Sequence, residues 1–224
     1  SEVSFVPWVG YQGTVSLTYT ATDSRGDTYQ GTVRIQVTPN TTSSYFTDMG
    51  SYGWATAAVD FLYENKVVSG TGSGKYSPRD PITRGNFLVM LDQAFGFPGT
   101  SGQHAFSDVP DSAYYASAVA WAYANGITEG KGEGLFAPQD TLTRQEGFTF
   151  LYRALKTLGV SYTDADASLL SRFPDAASVA SWAQTPTATL ISLGIVDGSD
   201  SGLAPAGSLT RAQMAKMLQM AREM

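Results

Sequence analysis

One short element occurs three times in this chain: Leu142-Thr143-Arg144-Gln145-Glu146, Ile82-Thr83-Arg84-Gly85-Asn86 and Leu209-Thr210-Arg211-Ala212-Gln213. Each is an apolar residue followed by Thr-Arg, at the front of an apolar-periodic segment. Thr143 and Glu146 have the spacing of a capping box, in which the N-cap hydroxyl and the acid three residues later satisfy each other's backbone N–H. The spacing predicts a helix starting after the Thr, with Arg144 at its first position. A cation there opposes the helix dipole, which favours an anion at that end by about 0.3–1 kcal/mol. Three arginines in register need a reason, and an anion held at each helix start is the simplest.

The three elements close three longer repeats. Phe46-Thr47-Asp48 matches Phe106-Ser107-Asp108 and Phe173-Pro174-Asp175, and Trp54-Ala55 is matched with Tyr115-Ala116 and Trp182-Ala183. Val67-Val68-Ser69-Gly70 matches Ile127-Thr128-Glu129-Gly130 and Ile195-Val196-Asp197-Gly198. Tyr76-Ser77-Pro78, Phe136-Ala137-Pro138 and Leu203-Ala204-Pro205 follow. Arg84 and Arg144 lie 60 residues apart, Arg144 and Arg211 67. The longer interval is accounted for by an acidic connector, Val160–Ser171, with room for one short helical turn.

Helical periodicity runs through each repeat. Ala58, Val59 and Leu62 follow Trp54 on one face, as Ala118, Val119 and Ala122 follow Tyr115. Leu91, Leu151 and Leu218 each stand seven residues after the arginine, with Phe87, Phe148 and Met214 near the first turn. Gly126 and Gly194 stand where a first helix should stop in the left-handed region, and Lys66 takes that place in the first repeat. Each unit thus reads as helix, Gly/Pro loop, helix. Neither helix can bury its apolar face alone, so the units should pack on one another.

The first forty residues differ. Val15, Leu17, Tyr19 and Ala21 alternate with polar residues, as do Tyr29, Val33, Ile35 and Val37, around a turn at Asp23-Ser24-Arg25-Gly26-Asp27. That is a hairpin signal. Ser4 to Trp8 could add a third strand, and a lone hairpin is marginal in water. We read residues 1–40 as the terminal strands of a truncated Ig-like or cadherin-like β domain, the chain being a fragment of something longer. Pro39 to Ser44 reads as a linker.

Composition narrows the function. The 224 residues carry a net charge of −6 and no Lys/Arg run, which argues against nucleic acid or an acidic membrane surface as partner. With no cysteine, a disulfide framework and a thiolate zinc site are excluded. No apolar run approaches the ~20 residues of a membrane span. The lone histidine, His104, reads as a surface residue in the linker between repeats. The segment Asp197 to Gly202 lacks the closing Glu of a calcium loop, so neither metal nor other cofactor is expected. Catalytic motifs are missing too, and acids recurring in equivalent settings do not make the unlike pair that glycoside hydrolysis needs. The chain therefore reads as a binder, not an enzyme.

Phe-x-Asp, aromatic-Ala, the Gly loop, aromatic-x-Pro and Thr-Arg-x-(Glu/Gln/Asn), in order and three times over, resemble the S-layer homology (SLH) family. The resemblance implies a mainly α fold, with the repeats at residues 45–100, 101–160 and 161–224 forming a pseudo-threefold bundle behind a short β-hairpin. It implies non-covalent anchoring of a surface protein to the cell wall, outside the cell. The expected partner is an anionic secondary cell-wall polysaccharide, often bearing a pyruvylated amino sugar, or modified peptidoglycan, held in grooves between repeats. The alternative is a structural or self-assembly module of a surface layer, with self-association in place of glycan binding.

Carried over residue by residue, the expected glycan-binding positions are Arg84, Arg144 and Arg211, Asp48, Asp108 and Asp175, Trp54, Tyr115 and Trp182, and Gly70, Gly130 and Gly198. Each has a plainer reading. The arginines could pair with the repeat aspartates and brace the loops, or combine with free helix N–H groups as an anion site. Trp54 and Trp182 could be core residues or sugar-facing ones, and the glycines could serve only tight turns. Asn86 is shorter than Glu146 and Gln213, so the first repeat has the least secure cap.

Overall fold

In the computed structural model, residues 13–38, 42–97, 106–199 and 201–224 are described. The expected strand at Ser4–Trp8, the linker residues Pro39–Thr41, and His104 fall outside them. Strands β1 (Gly13–Thr22) and β2 (Thr28–Val37) pair antiparallel, with Val15 opposite Ile35 and Leu17 opposite Val33. Asp23 fixes the turn by accepting from the N–H groups of Arg25 and Asp27, at 2.9 and 3.0 Å.

The rest is helical: α1 (Gly53–Glu64), α2 (Arg84–Phe95), α3 (Ala116–Ala124), α4 (Arg144–Thr157), α5 (Ser181–Ser192) and α6 (Arg211–Arg222). The acidic connector carries a short 3-10 turn at Ala167–Arg172, and a second follows at Ala176–Ser178. The helices α2, α4 and α6 start where the Thr-Arg element predicts. Thr83, Thr143 and Thr210 are their N-caps, each hydroxyl accepting from the third helical N–H. Glu146 and Gln213 complete capping boxes by reaching back to the N-cap N–H, at 2.9 and 3.0 Å. Gly126 and Gly194 take left-handed φ of 69° and 71°, and Lys66 follows them at 60° despite its Cβ.

A ring of backbone hydrogen bonds defines the pseudo-threefold axis. Ile82 N–H donates to the Leu209 carbonyl, Leu142 N–H to that of Ile82, and Leu209 N–H to that of Leu142, each at 2.9 Å. All three side chains are buried. Around this ring the second helix of each repeat packs on the first helix of the next: α2 on α3, α4 on α5, and α6 back on α1. The apolar faces of the units therefore close on each other cyclically, and Leu91, Leu151 and Leu218 form part of the resulting core.

Candidate functional site: three inter-repeat grooves

The arginine of each repeat reaches into the loop of the following one. Arg84 Nε donates to the Phe136 carbonyl at 2.9 Å, Arg144 Nε to that of Leu203 at 2.7 Å, and Arg211 Nε to that of Tyr76 at 2.8 Å. Those same loops are gripped from the other side by the aspartates. Asp48 accepts from the N–H groups of Tyr76 and Ser77, Asp108 from those of Phe136 and Ala137, and Asp175 from those of Leu203 and Ala204. Aspartate and arginine thus share a loop segment without pairing, which differs from both uses expected of Asp: neither an ion pair with Arg nor a free carboxylate. Two charge-assisted bonds per carboxylate fix each loop at the Pro that leads to the second helix.

The expectation of free N–H groups at the helix starts is corrected. Arg84 and Gly85 donate their backbone N–H to the carbonyls of Asp140 and Pro138, Arg144 and Gln145 to those of Gly207 and Pro205, and Arg211 and Ala212 to those of Asp80 and Pro78. The next repeat's loop therefore occupies each helix start, and with the Thr hydroxyls it satisfies the first turn. The N–H groups of the first three helical positions are therefore already taken.

The loop glycines make room for rings. A Cβ on Gly198 would lie 2.2 Å from the Phe173 ring, one on Gly130 2.5 Å from Phe106, and one on Gly70 2.9 Å from Phe46. The Phe of each Phe-x-Asp fills the space a side chain would take at the glycine, so these positions let the loop close on the ring.

The aromatic series is corrected by one residue. A constant offset of 60 relates Asp48 to Asp108, Gly70 to Gly130 and Arg84 to Arg144, and it pairs Trp54 with Tyr114. Trp54, Tyr114 and Trp182 are 44%, 66% and 48% exposed, whereas Tyr115 is buried with its ring against Gly85. Tyr115 takes the core place of Ala55 and Ala183. The exposed aromatic of the second repeat, Tyr114, was hidden by matching on the following Ala.

Sequence profiles of the S-layer homology domain match residues 45–88, 105–146 and 172–215. The chain belongs to the S-layer homology domain family. It is 32% identical over 74% of its length to the exoglucanase XynX of Acetivibrio thermocellus, covering 15% of that protein. It is 31% identical over 73% of its length to the surface-layer 125 kDa protein of Lysinibacillus sphaericus, covering 14% of it. To the cellulosome-anchoring protein of Acetivibrio thermocellus it is 26% identical over 70% of its length, covering 35% of that protein. The chain thus spans about a third or less of these relatives.

In the SLH frame the grooves of repeats 2 and 3 are each assembled from three repeats: an arginine from the one before, a loop and second helix from its own, and a rim aromatic from the one after. The groove of repeat 3, about 140 Å³, is lined by Arg144, Trp54, Asp197, Gln213 and Lys216. That of repeat 2, about 420 Å³, is lined by Arg84, Trp182, Lys131, Glu146 and Arg153.

The arginines differ in what they leave free. Arg84 is almost fully buried, lies 4.8 Å from the Phe136 ring centre and gives Nη1 to Glu146 at 3.0 Å. Burial pushes its guanidinium down from the ordinary value, with Glu146 opposing. Lys131 Nζ also reaches Glu146, at 2.7 Å. Burial works to raise the Glu146 carboxyl, but hydrogen bonds from Lys131 and Thr143 and the Arg84 charge outweigh it and hold it below the usual range. Arg211 spends Nη2 on the Ser69 carbonyl at 2.9 Å. Arg144, half-buried over the Phe148 ring, uses only Nε, and its two terminal nitrogens have no hydrogen-bond partner among the described residues. Burial lowers its pKa as well, with Asp175 opposing, and a free, partly desolvated fork of this kind suits a carboxylate.

Lys131, Arg153 and Lys216 are groove cations that motif matching did not single out. For two of them the signal was available in the helix period: Glu146, Thr149, Phe150 and Arg153 fall on one face of α4, as Gln213, Lys216 and Met217 do on α6, whereas Lys131 lies in the Gly loop, outside any helix.

Proposed function

We propose that this SLH chain anchors a surface protein non-covalently to the bacterial cell wall, outside the cell, by holding an anionic wall glycopolymer in its inter-repeat grooves. The observation that carries the reading is Arg144, which lines a groove beside Lys216 and the exposed Trp54 and whose two terminal nitrogens have no hydrogen-bond partner among the described residues. A planar carboxylate such as a pyruvyl ketal matches a guanidinium fork in two parallel hydrogen bonds. The indole beside it offers apolar area to the C–H face of the sugar that carries the acid. A secondary cell-wall polysaccharide with pyruvylated amino sugars supplies both, and modified peptidoglycan is the other candidate polymer. Relatives named a surface-layer protein and a cellulosome-anchoring protein are consistent with an anchoring role. The enzymes among them share only a minor part of their length with this chain, and we propose that the chain itself is not catalytic. Several weak sites on one polymer would raise the overall affinity by about 10²–10⁴ over a single site.

The alternative, a structural module without glycan binding, draws support from Arg84 and Arg211, whose guanidiniums are consumed by contacts between repeats. Sedimentation with purified cell-wall sacculi, before and after removal of the attached polymer, separates the two readings. Retention that depends on the polymer is expected, and retention unchanged by its removal would exclude this ligand.

A further inference from the structure

We infer that this module works with two grooves, because the groove of repeat 1 is latched shut by Tyr114 and Asn86. The inference rests on the groove reading above. By the cyclic rule, this groove takes Arg211 from repeat 3, Ser69 and Asn86 from its own repeat, and Tyr114 as its rim aromatic.

The rim is tied down. The Tyr114 hydroxyl donates to the Asn86 side-chain carbonyl, joining the rim to helix α2 across the mouth. Among the described residues no hydrogen bond ties the rings of Trp54 or Trp182 to the facing helix. The latch follows from side-chain length. Glu146 and Gln213 turn back to cap their own helices, but the shorter Asn86 forms no capping box, and its amide oxygen accepts from Tyr114.

The cations are fewer as well. Arg211, bonded through Nε and Nη2 to the carbonyls of Tyr76 and Ser69, is engaged to the same degree as Arg84, so the difference lies in the other cations. The positions held by Lys131 and Arg153 in repeat 2 and by Lys216 in repeat 3 are Thr71, Gln93 and Val89 in repeat 1. Among the described residues, the cavity beside Ser69 and Gln93, about 450 Å³, is lined by Tyr45, Tyr63, Glu64 and Lys66, and by neither Arg211 nor Tyr114. In the other two grooves the corresponding Arg and Trp both line the cavity.

Titration calorimetry of the whole chain with the methyl glycoside of a pyruvyl-ketal N-acetylhexosamine tests the count. The expected stoichiometry is two for the wild type, one for Trp54→Ala, one for Trp182→Ala, and three for Tyr114→Phe, which keeps the ring and removes the latch. These side chains are exposed, so the fold should be unaffected. Three sites in the wild type, or two in Tyr114→Phe, would overturn the latch and leave glycan binding intact. No binding by the wild type would overturn both.

Discussion

Tyr76 and Arg211 hold each other twice across 135 residues: Arg211 Nε donates to the Tyr76 carbonyl at 2.8 Å, and the Tyr76 hydroxyl donates to the Arg211 carbonyl at 3.1 Å. This contact joins the last repeat to the first and turns three tandem units into a closed ring. The guanidinium lies 4.5 Å from the Tyr76 ring centre, and burial pushes the phenol pKa well above its ordinary value.

Closure makes Arg211 a stability residue. Arg211→Gln leaves the buried Tyr76 carbonyl and the more exposed Ser69 carbonyl without this donor, and a loss of about 1–3 kcal/mol is expected from breaking charge-assisted bonds of which one is buried. Urea unfolding followed by circular dichroism gives the difference. A change below about 0.5 kcal/mol, the range of ordinary surface substitutions, would contradict the ring-closing role.

The repeat aspartates should behave alike. Asp108→Asn keeps the shape but replaces a carboxylate that accepts from Phe136 and Ala137, and the expected cost is about 1–3 kcal/mol. Asp48→Asn and Asp175→Asn should fall within the same range. If all three retained full stability but lost glycan binding, the aspartates would be ligand contacts and not loop anchors.

Gly198→Ala should be poorly tolerated because its new methyl would lie 2.2 Å from the Phe173 ring. Overpacking of this kind costs about 1–3 kcal/mol. Pairing it with Phe173→Leu, which makes room, should recover part of the loss in a double-mutant cycle. Strict additivity of the two changes would argue against the contact.

Acid should loosen the α4 start. Glu146 has a folded-state pKa below its ordinary 4.5, so the folded form binds this proton less readily than the unfolded one. Its contribution to stability is full above about pH 4.5 and declines as pH falls through the lower folded value. Glu146→Gln should flatten that part of the stability–pH curve, measured by urea midpoints between pH 2 and 6. An identical curve in the variant would assign the acid sensitivity elsewhere.

Much of this architecture is legible in the sequence because it is local. Thr83, Thr143 and Thr210 announce their helices through hydroxyl-to-N–H bonds three residues away, and Gly126 and Gly194 mark stops through left-handed φ. What a single strand of sequence does not display is the partner across a repeat boundary. That the N–H groups of Arg144 and Gln145 meet Gly207 and Pro205 depends on cyclic packing, so the helix starts looked open. The aromatic register failed for a different reason. Matching Tyr115-Ala116 to Trp54-Ala55 favoured the dipeptide over the constant offset, and burial agrees with the offset in separating the core Tyr115 from the exposed Tyr114.

Arg144 alone of the three arginines joins a closed-ring contact to a free fork, and it tests the account most directly. The measurement is binding of the Arg144→Gln chain to polymer-bearing sacculi, with unfolding recorded in parallel. Losing a two-bond carboxylate contact should weaken binding by about tenfold to a hundredfold, at ~1.4 kcal/mol per tenfold, while the chain remains folded. Wild-type binding by a folded Arg144→Gln variant would contradict the anion-reading role of this groove.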